Sequence, residues 1–83
     1  MQGYGHIKTK AMRNFLEKEK DRVTGYSIEV ESEKDENGRR IERVFIYTNS
    51  EEWCDDSGAG TFSGDSETKA IKFFYATVRP AGR

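Results

Sequence analysis

The feature that most constrains the fold is a pair of strand patterns separated by a strong turn signal. Residues 26–30 alternate between apolar and polar side chains, which is the period of a strand with one buried face. Asn37-Gly38 follows, and this dipeptide favours a type I′ turn because both residues accept a positive φ. The run 41–48 is rich in β-branched and aromatic residues. We therefore predict an antiparallel hairpin.

A two-residue turn would also set the register of this hairpin. It places Val30 opposite Phe45 and Ile28 opposite Tyr47, so that these four side chains share one face of the sheet. Val44 then lies on the other face of the sheet. That face is therefore not fully polar, and we expect another part of the chain to pack on it.

A helix is predicted over residues 10–23, with Thr9 as its N-cap and Gly25 as its C-cap. Its apolar residues recur at helical spacing. They are Met12, Phe15, Leu16 and Val23.

The segment 66–78 supports two interpretations. A helix is favoured by an N-cap at Asp65 or Ser66 and by Pro80 just after its end. Its apolar stripe consists of Ala70, Ile71, Phe74, Tyr75 and Val78. The run 73–75 is also a good strand former. With a short third strand near 60–63, the predicted order is α-β-β-β-α, and α-β-β-β-β is the alternative.

These elements predict one small α+β domain over residues 1–83, with a lead-in at 1–8 and a tail at 79–83. Eighty-three residues are enough for one domain, and five Phe, four Tyr and one Trp supply large core side chains. No apolar run approaches the roughly 20 residues that cross a bilayer. The start of the chain has no hydrophobic signal region, and the single cysteine cannot form an internal disulfide. We therefore expect a cytoplasmic location.

Residues that usually carry catalysis are sparse. His6 is the sole histidine and lies in the glycine-flanked lead-in, and Cys54 precedes two acids that disfavour a thiolate. One Cys and one His cannot build a structural zinc site without several carboxylates. The spacing of Asp55, Asp56 and Asp65 does not match a calcium-binding EF-hand loop. We expect no catalytic activity, no metal and no cofactor.

Acidic residues are concentrated in one segment. Residues 45–67 carry six acids and no base, whereas residues 1–24 carry six bases and three acids. An exposed negative loop steers encounter with a basic partner, and tryptophan is enriched at interface hot spots. We call residues 51–65 the acidic loop. Its predicted partner-binding residues are Glu51, Glu52, Trp53, Asp55, Asp56 and Asp65. Trp53 is either an exposed interface anchor or a plug beneath the loop.

The end of the chain resembles a known family. The glycines Gly58, Gly60 and Gly64, followed by Ser66 and Ala70, are similar to the glycine-rich turn and the Ser-Lys-Lys-x-Ala-Lys helix opening of the double-stranded-RNA-binding domain. The predicted order of elements over residues 10–78 is also similar to that domain.

This resemblance implies an α-β-β-β-α fold and RNA binding through lysines that contact phosphates. Here Glu67 and Thr68 occupy the positions of the paired lysines, and Ile71 occupies that of the later lysine. Lys69 and Lys72 are the bases nearby.

The expected function is that of a non-catalytic module that binds a larger protein. By analogy with small phage and mobile-element products that block host or defence machinery, we expect a stoichiometric inhibitor. The alternative is a domain that binds double-stranded RNA or DNA. Its candidate binding residues are Lys8, Lys10, Arg13, Arg39 and Arg40.

Overall fold

A computed structural model describes residues 7–32, 36–38 and 41–82. The helices are α1 (Lys10–Lys18) and α2 (Glu67–Thr77). The strands are β1 (Val23–Ser32), β2 (Ile41–Thr48), β3 (Trp53–Cys54), β4 (Thr61–Gly64) and β5 (Arg79–Pro80). The predicted α+β class is confirmed, and the C-terminal segment is the predicted helix rather than the alternative strand.

The main sheet is antiparallel, with the strand order β1-β2-β4. The third strand predicted near 60–63 corresponds to β4. A separate two-stranded ribbon of β3 and β5 was not predicted. Arg79 and Pro80, in the segment 79–83 that was predicted as a tail, thus form a strand that pairs with Trp53–Cys54 of the acidic loop.

The first helix is shorter than predicted. Thr9 is its N-cap, as expected, and its side chain accepts a hydrogen bond from the Met12 N–H. The helix ends at Lys18, not at residue 23, because the chain turns after Glu19 and Val23 begins β1. Gly25 is therefore not a C-cap: it lies in β1 opposite Tyr47, next to a register irregularity.

The predicted hairpin register is wrong by three residues. Val30 pairs with Glu42 instead of Phe45, and Ile28 pairs with Val44. The connection between β1 and β2 is longer than two residues. In the described residues a positive φ occurs only at glycines, including Gly38 (78°), so Asn37 does not have one. Asn37-Gly38 therefore does not form a type I′ turn. An odd shift exchanges the faces of a strand, so Val44 faces the core and Phe45 does not.

Both helices pack on one face of the main sheet. They run in the same direction, because Thr9 and Glu67 meet at their N-terminal ends and Glu19 and Tyr75 meet at their C-terminal ends. The buried core consists of Met12, Phe15, Leu16, Val23, Val44, Ile46, Phe62, Ala70 and Phe74. Neither helix in the described residues has the length and apolar character of a bilayer-spanning segment.

Candidate functional site

The acidic loop is entered through an asparagine turn at the end of β2. The Asn49 carbonyl accepts hydrogen bonds from the Glu52 and Trp53 N–H groups (2.9 and 2.8 Å), and its side-chain oxygen accepts one from the Glu51 N–H (3.0 Å). Asparagine suits this position because its side chain bonds the backbone two residues ahead. Glu51 and Glu52 are thereby held on a defined turn, and both are exposed.

Asp55 organises the second half of the loop from within. Its Oδ1 accepts hydrogen bonds from the Ser57 hydroxyl (2.7 Å), the Ser57 N–H (2.8 Å) and the Ala59 N–H (3.0 Å). These bonds, the Ser57 hydroxyl first among them, lower the pKa of Asp55. The carboxylate therefore serves the loop itself, which makes Asp55 a structural residue.

The β3–β5 ribbon ties the loop to the end of α2. Cys54 lies opposite Arg79, and the Arg79 guanidinium donates to the Asp56 carbonyl (3.2 Å). Beyond β5, the Ala81 N–H donates to the Glu52 carbonyl (3.0 Å). Strand pairing with β5, the Arg79 side chain and the Ala81 N–H thus position residues 52–56.

Trp53 is half-buried, and its ring lies against Arg22 rather than in the core. The guanidinium carbon of Arg22 is 5.0 Å from the Trp53 ring centroid and 5.3 Å from that of Phe74. Arg22 also forms an ion pair with Glu19 (2.7 Å), which orients the guanidinium. A cation held over an aromatic ring is attracted by its electron-rich face. These contacts give Trp53 the role of fastening the loop beside α1.

The structure does not gather all the predicted acids on one surface. Glu51, Glu52 and Asp56 are exposed in the connection between β2 and β4. Asp65 directly follows β4, whereas the other three acids precede it. The four residues of β4 span about 13 Å, so Asp65 lies at the opposite end of that strand. There its Oδ1 lies 3.1 Å from Arg43 Nη2. The acidic surface is therefore smaller than predicted.

The cations of the alternative interface are only partly described. Arg39 and Arg40 lie outside the described residues. Lys10 and Arg13 are exposed on α1, and the Lys8 ammonium forms an ion pair with Glu42.

The burial of Glu67 was not predicted. Its carboxylate accepts hydrogen bonds from the Lys8 N–H (2.8 Å), the Thr9 N–H (2.8 Å), the Thr9 hydroxyl (2.7 Å) and the Tyr26 hydroxyl. Burial alone raises the pKa of Glu67, but these hydrogen bonds outweigh it, and the pKa is lowered. The anion therefore joins the N-terminal segment to α2 and β1.

Glu19 is a second buried acid, at the end of α1. It accepts hydrogen bonds from the Tyr75 hydroxyl (2.6 Å) and from Arg22 (2.8 Å). Burial raises the pKa of Glu19, but these contacts outweigh it and lower the pKa overall. Burial and the bond to Glu19 raise the pKa of Tyr75 to about 12.

A sequence signal for both buried acids exists. Glu19 follows Met12 by seven residues, and Glu67 precedes Phe74 by seven, so each acid lies on the apolar stripe of its helix. An acidic residue within such a stripe indicates a buried carboxylate with hydrogen-bond partners.

With these two acids inside, the surface of the helical layer is basic. Its exposed acids in the described part are Glu17 and Asp21. Its exposed bases are Lys8, Lys10, Arg13, Lys18, Lys20, Lys69 and Lys72.

The described residues do not bring together the side chains of a catalytic or metal-binding site. The Cys54 thiol is buried in β3, and His6 lies outside the described residues. Within residues 7–32, 36–38 and 41–82, no group of three His, Cys, Asp or Glu side chains is placed to hold a metal ion.

No protein-family model matches this chain, and comparisons with curated proteins and with solved structures find no similar protein. Function is therefore inferred from this chain's own residues. The order of helices and main-sheet strands is only loosely compatible with a double-stranded-RNA-binding fold. Glu67, which stands where that family has a lysine, is buried.

Proposed function

We propose that this protein is a non-catalytic module that docks on a basic surface of a larger protein through the exposed acids of its acidic loop. The acids that form this docking surface are Glu51, Glu52 and Asp56, whereas the exposed Asp65 lies at the far end of β4. By the analogy drawn from size and composition, the module acts as a stoichiometric inhibitor.

The observation that carries the proposal is the fixed geometry of the loop. Asn49, Asp55 and the β3–β5 ribbon each hold part of it, and Trp53 fastens it beside Arg22. A surface that is ordered before binding loses less conformational entropy on association. Its negative charge also accelerates encounter with a basic partner.

Binding rather than catalysis is supported by the placement of Cys54. Its thiol is the one sulfur nucleophile of the sequence, and it is buried.

The proposal is tested with a loop-reversal variant that carries Glu51→Lys, Glu52→Lys and Asp56→Lys. Asp55 is left intact because the loop depends on it. A partner is captured with the wild-type protein, and its association rate and affinity are measured for both proteins at several salt concentrations. We expect the variant to associate more slowly and to bind at least about 10-fold more weakly, with the larger loss at low salt.

The matched control reverses two exposed charges on α1, Lys10→Glu and Arg13→Glu. We expect this variant to bind the partner within about 3-fold of the wild type, because α1 lies outside the acidic loop. A folded loop-reversal variant that binds the partner normally contradicts the proposal.

A second candidate function, nucleic-acid binding, is favoured by one observation. Because Glu19 and Glu67 are turned inward, the solvent-facing charge of the helical layer is strongly positive. Lysine and arginine on such a surface bind phosphates by releasing counterions. The resemblance to the double-stranded-RNA-binding domain points to the same class of ligand.

A further inference from the structure

The acidic loop lies beside the C-terminal ends of both helices. Trp53 of the loop contacts Arg22, which follows α1, and the β5 strand that pairs with the loop begins two residues after α2. The N-terminal ends of the helices meet at the other end of the helical layer, where Thr9 contacts Glu67. The loop is therefore separated from the N-terminal ends of α1 and α2 by the length of the helices.

Four exposed bases lie within the first six residues of their helices. They are Lys10, Arg13, Lys69 and Lys72, and we call them the basic end. Among the described residues none of these four forms an ion pair, whereas Arg43, which lies near α2, is paired with Asp65. The positive ends of both helix dipoles lie at the same place. The basic end is therefore a surface that attracts acidic groups from outside the molecule.

Two exposed aromatic side chains lie on α2 between the basic end and the acidic loop. Phe73 is 40 % exposed and Tyr75 is 45 % exposed. Both follow Lys72 along the helix and precede β5. Aromatic residues are enriched at the buried centre of protein interfaces, with charged residues around them. This arrangement of rings between two charged groups is that of a contact surface.

We infer that the helical layer binds a second copy of the chain in a two-fold dimer, in which the acidic loop of each copy contacts the basic end of the other. A two-fold axis across the helical layer makes the helices of the two copies antiparallel, so both charge contacts form at once. Charge complementarity selects this occupant, because Glu52 and Asp56 are exposed acids of the same chain. The net charge of only −1 keeps repulsion between the copies small.

The size of the helical layer determines the strength of this dimer. Two helices, each about 10 Å wide, and the 11 residues of α2 at about 1.5 Å per residue give a layer of roughly 20 Å by 16 Å, or about 320 Å². A stable dimer buries about 800 Å² on each partner. The dimer is therefore weak and depends on its charge contacts, and we expect a dissociation constant of about 100 µM at low salt.

The inference rests on the proposed function and adds the regulation of the same site. In the dimer, the second copy covers Glu52 and Asp56, so the acidic loop reaches a larger protein only from the monomer. By mass action, the loop is uncovered at protein concentrations far below the dissociation constant of the dimer. Self-association thus limits docking where the protein is abundant.

Sedimentation equilibrium of the full-length protein tests for the dimer. The wild type is measured from about 10 to 500 µM at about 20 mM and about 300 mM salt. We expect the mass to approach that of a dimer at the highest concentration and the lower salt. At the higher salt the dissociation constant should rise at least about 10-fold, because the charges are screened.

A charge-swap pair of variants identifies the two surfaces. One is the loop-reversal variant, and the other, the helix-reversal variant, carries Lys10→Glu and Lys69→Glu. Each alone should self-associate at least about 10-fold more weakly than the wild type, because like charges then meet. Their equimolar mixture should associate at least as tightly as the wild type, since opposite charges meet again in both contacts. A glutamate in the first turn of a helix suits the helix dipole, so the fold is kept.

The matched control reverses two exposed acids outside both surfaces, Glu29→Lys and Glu36→Lys, and moves the net charge in the same direction as loop reversal. We expect it to self-associate within about 3-fold of the wild type. Mixed with the helix-reversal variant, it should associate at least about 5-fold more weakly than the charge-swap mixture. If it restores association as well as the loop-reversal variant does, net charge alone drives association and the inference is wrong.

The remaining outcomes separate this inference from the proposed function. A wild type that stays monomeric at low salt overturns the inference, as does a mass that grows beyond that of a dimer. An oligouridylate that binds the helical layer more tightly than the second copy does also overturns it. If the wild type is monomeric and loop reversal still weakens binding of the captured partner, only the inference is wrong. If the dimer forms and loop reversal leaves partner binding unchanged, the dimer stands and the proposed function is wrong.

Discussion

At the scale of single residues, the Glu67 carboxylate determines how the N-terminal segment is placed. Its side chain is only 3 % exposed and accepts four hydrogen bonds. It also lies in the first turn of α2, where the helix dipole favours a negative charge. Its role is therefore to join three parts of the fold.

We predict that Glu67→Gln lowers the free energy of unfolding by about 2–3 kcal/mol, because an amide nitrogen then faces donors of Lys8, Thr9 or Tyr26. Urea denaturation at neutral pH measures the change. Glu17→Gln, at an exposed position of α1, is the control and should stay within about 0.5 kcal/mol of the wild type. Equal effects of the two substitutions contradict this role for Glu67.

The same variant has a signature in the pH dependence of stability. The folded pKa of Glu67 is lowered from 4.5, so the unfolded chain binds the proton more tightly. The stabilisation is complete above pH 4.5 and is lost as the pH falls toward the folded pKa. The wild type should therefore lose stability on acidification more steeply than Glu67→Gln, while the lowered pKa of Glu19 acts equally in both proteins.

At the scale of elements, Gly64 sets how closely α2 approaches β4. A Cβ at this position would lie 2.6 Å from the Ala70 nitrogen and 2.8 Å from the Lys69 carbonyl carbon. Both are backbone atoms of α2 and cannot move without the helix. The glycine that resembles a family motif in the sequence thus has a packing role here.

Gly64→Ala should lower the free energy of unfolding by about 2 kcal/mol, because α2 must shift away from the sheet and loosen its contacts around Phe74. Thermal or urea denaturation measures the loss. Gly82→Ala, where a Cβ would meet no atom within 4 Å, should leave stability unchanged. An unchanged melting temperature for Gly64→Ala would mean that the helix does not approach the strand so closely.

At the scale of the whole molecule, the charge is divided between a basic helical surface and an acidic loop, although the net charge is only −1. This division is produced by the burial of Glu19 and Glu67 and by the exposure of Glu51, Glu52 and Asp56. The acidic loop attracts a basic protein surface, and the basic helical surface attracts nucleic-acid phosphates. The two candidate functions therefore use different surfaces of the molecule.

A salt titration against duplex RNA and duplex DNA decides between them. Because the protein-binding proposal is preferred, we expect no binding tighter than about 100 µM at 150 mM salt. Micromolar binding would instead support nucleic-acid recognition. In that case, replacing Lys10, Arg13, Lys69 and Lys72 by glutamine should reduce the slope of log K against log salt by about 3–4, and loop reversal should strengthen binding.

Much of the secondary structure follows from local patterns in the sequence. The Thr9 cap, the Ser66 cap and the two apolar stripes predict α1 and α2, because capping and helical periodicity involve residues three or four apart. The alternation at 26–30 predicts β1 for the same reason. The acidic character of the loop is likewise a property of the sequence alone.

The tertiary structure decided the features on which the proposed function rests. The hairpin register is set by which face of β2 can bury Val44 and Ile46 under two helices, and this outweighs the preference of Asn37-Gly38 for a two-residue turn. That choice places Phe45 on the face of the main sheet opposite the helices. Glu19 and Glu67 are buried because hydrogen-bond donors from distant segments stabilise their carboxylates. Asp65 is separated from the other loop acids because β4 lies between them, and it pairs with Arg43. Burial and pairing between distant residues depend on the whole chain, so no local pattern determines them.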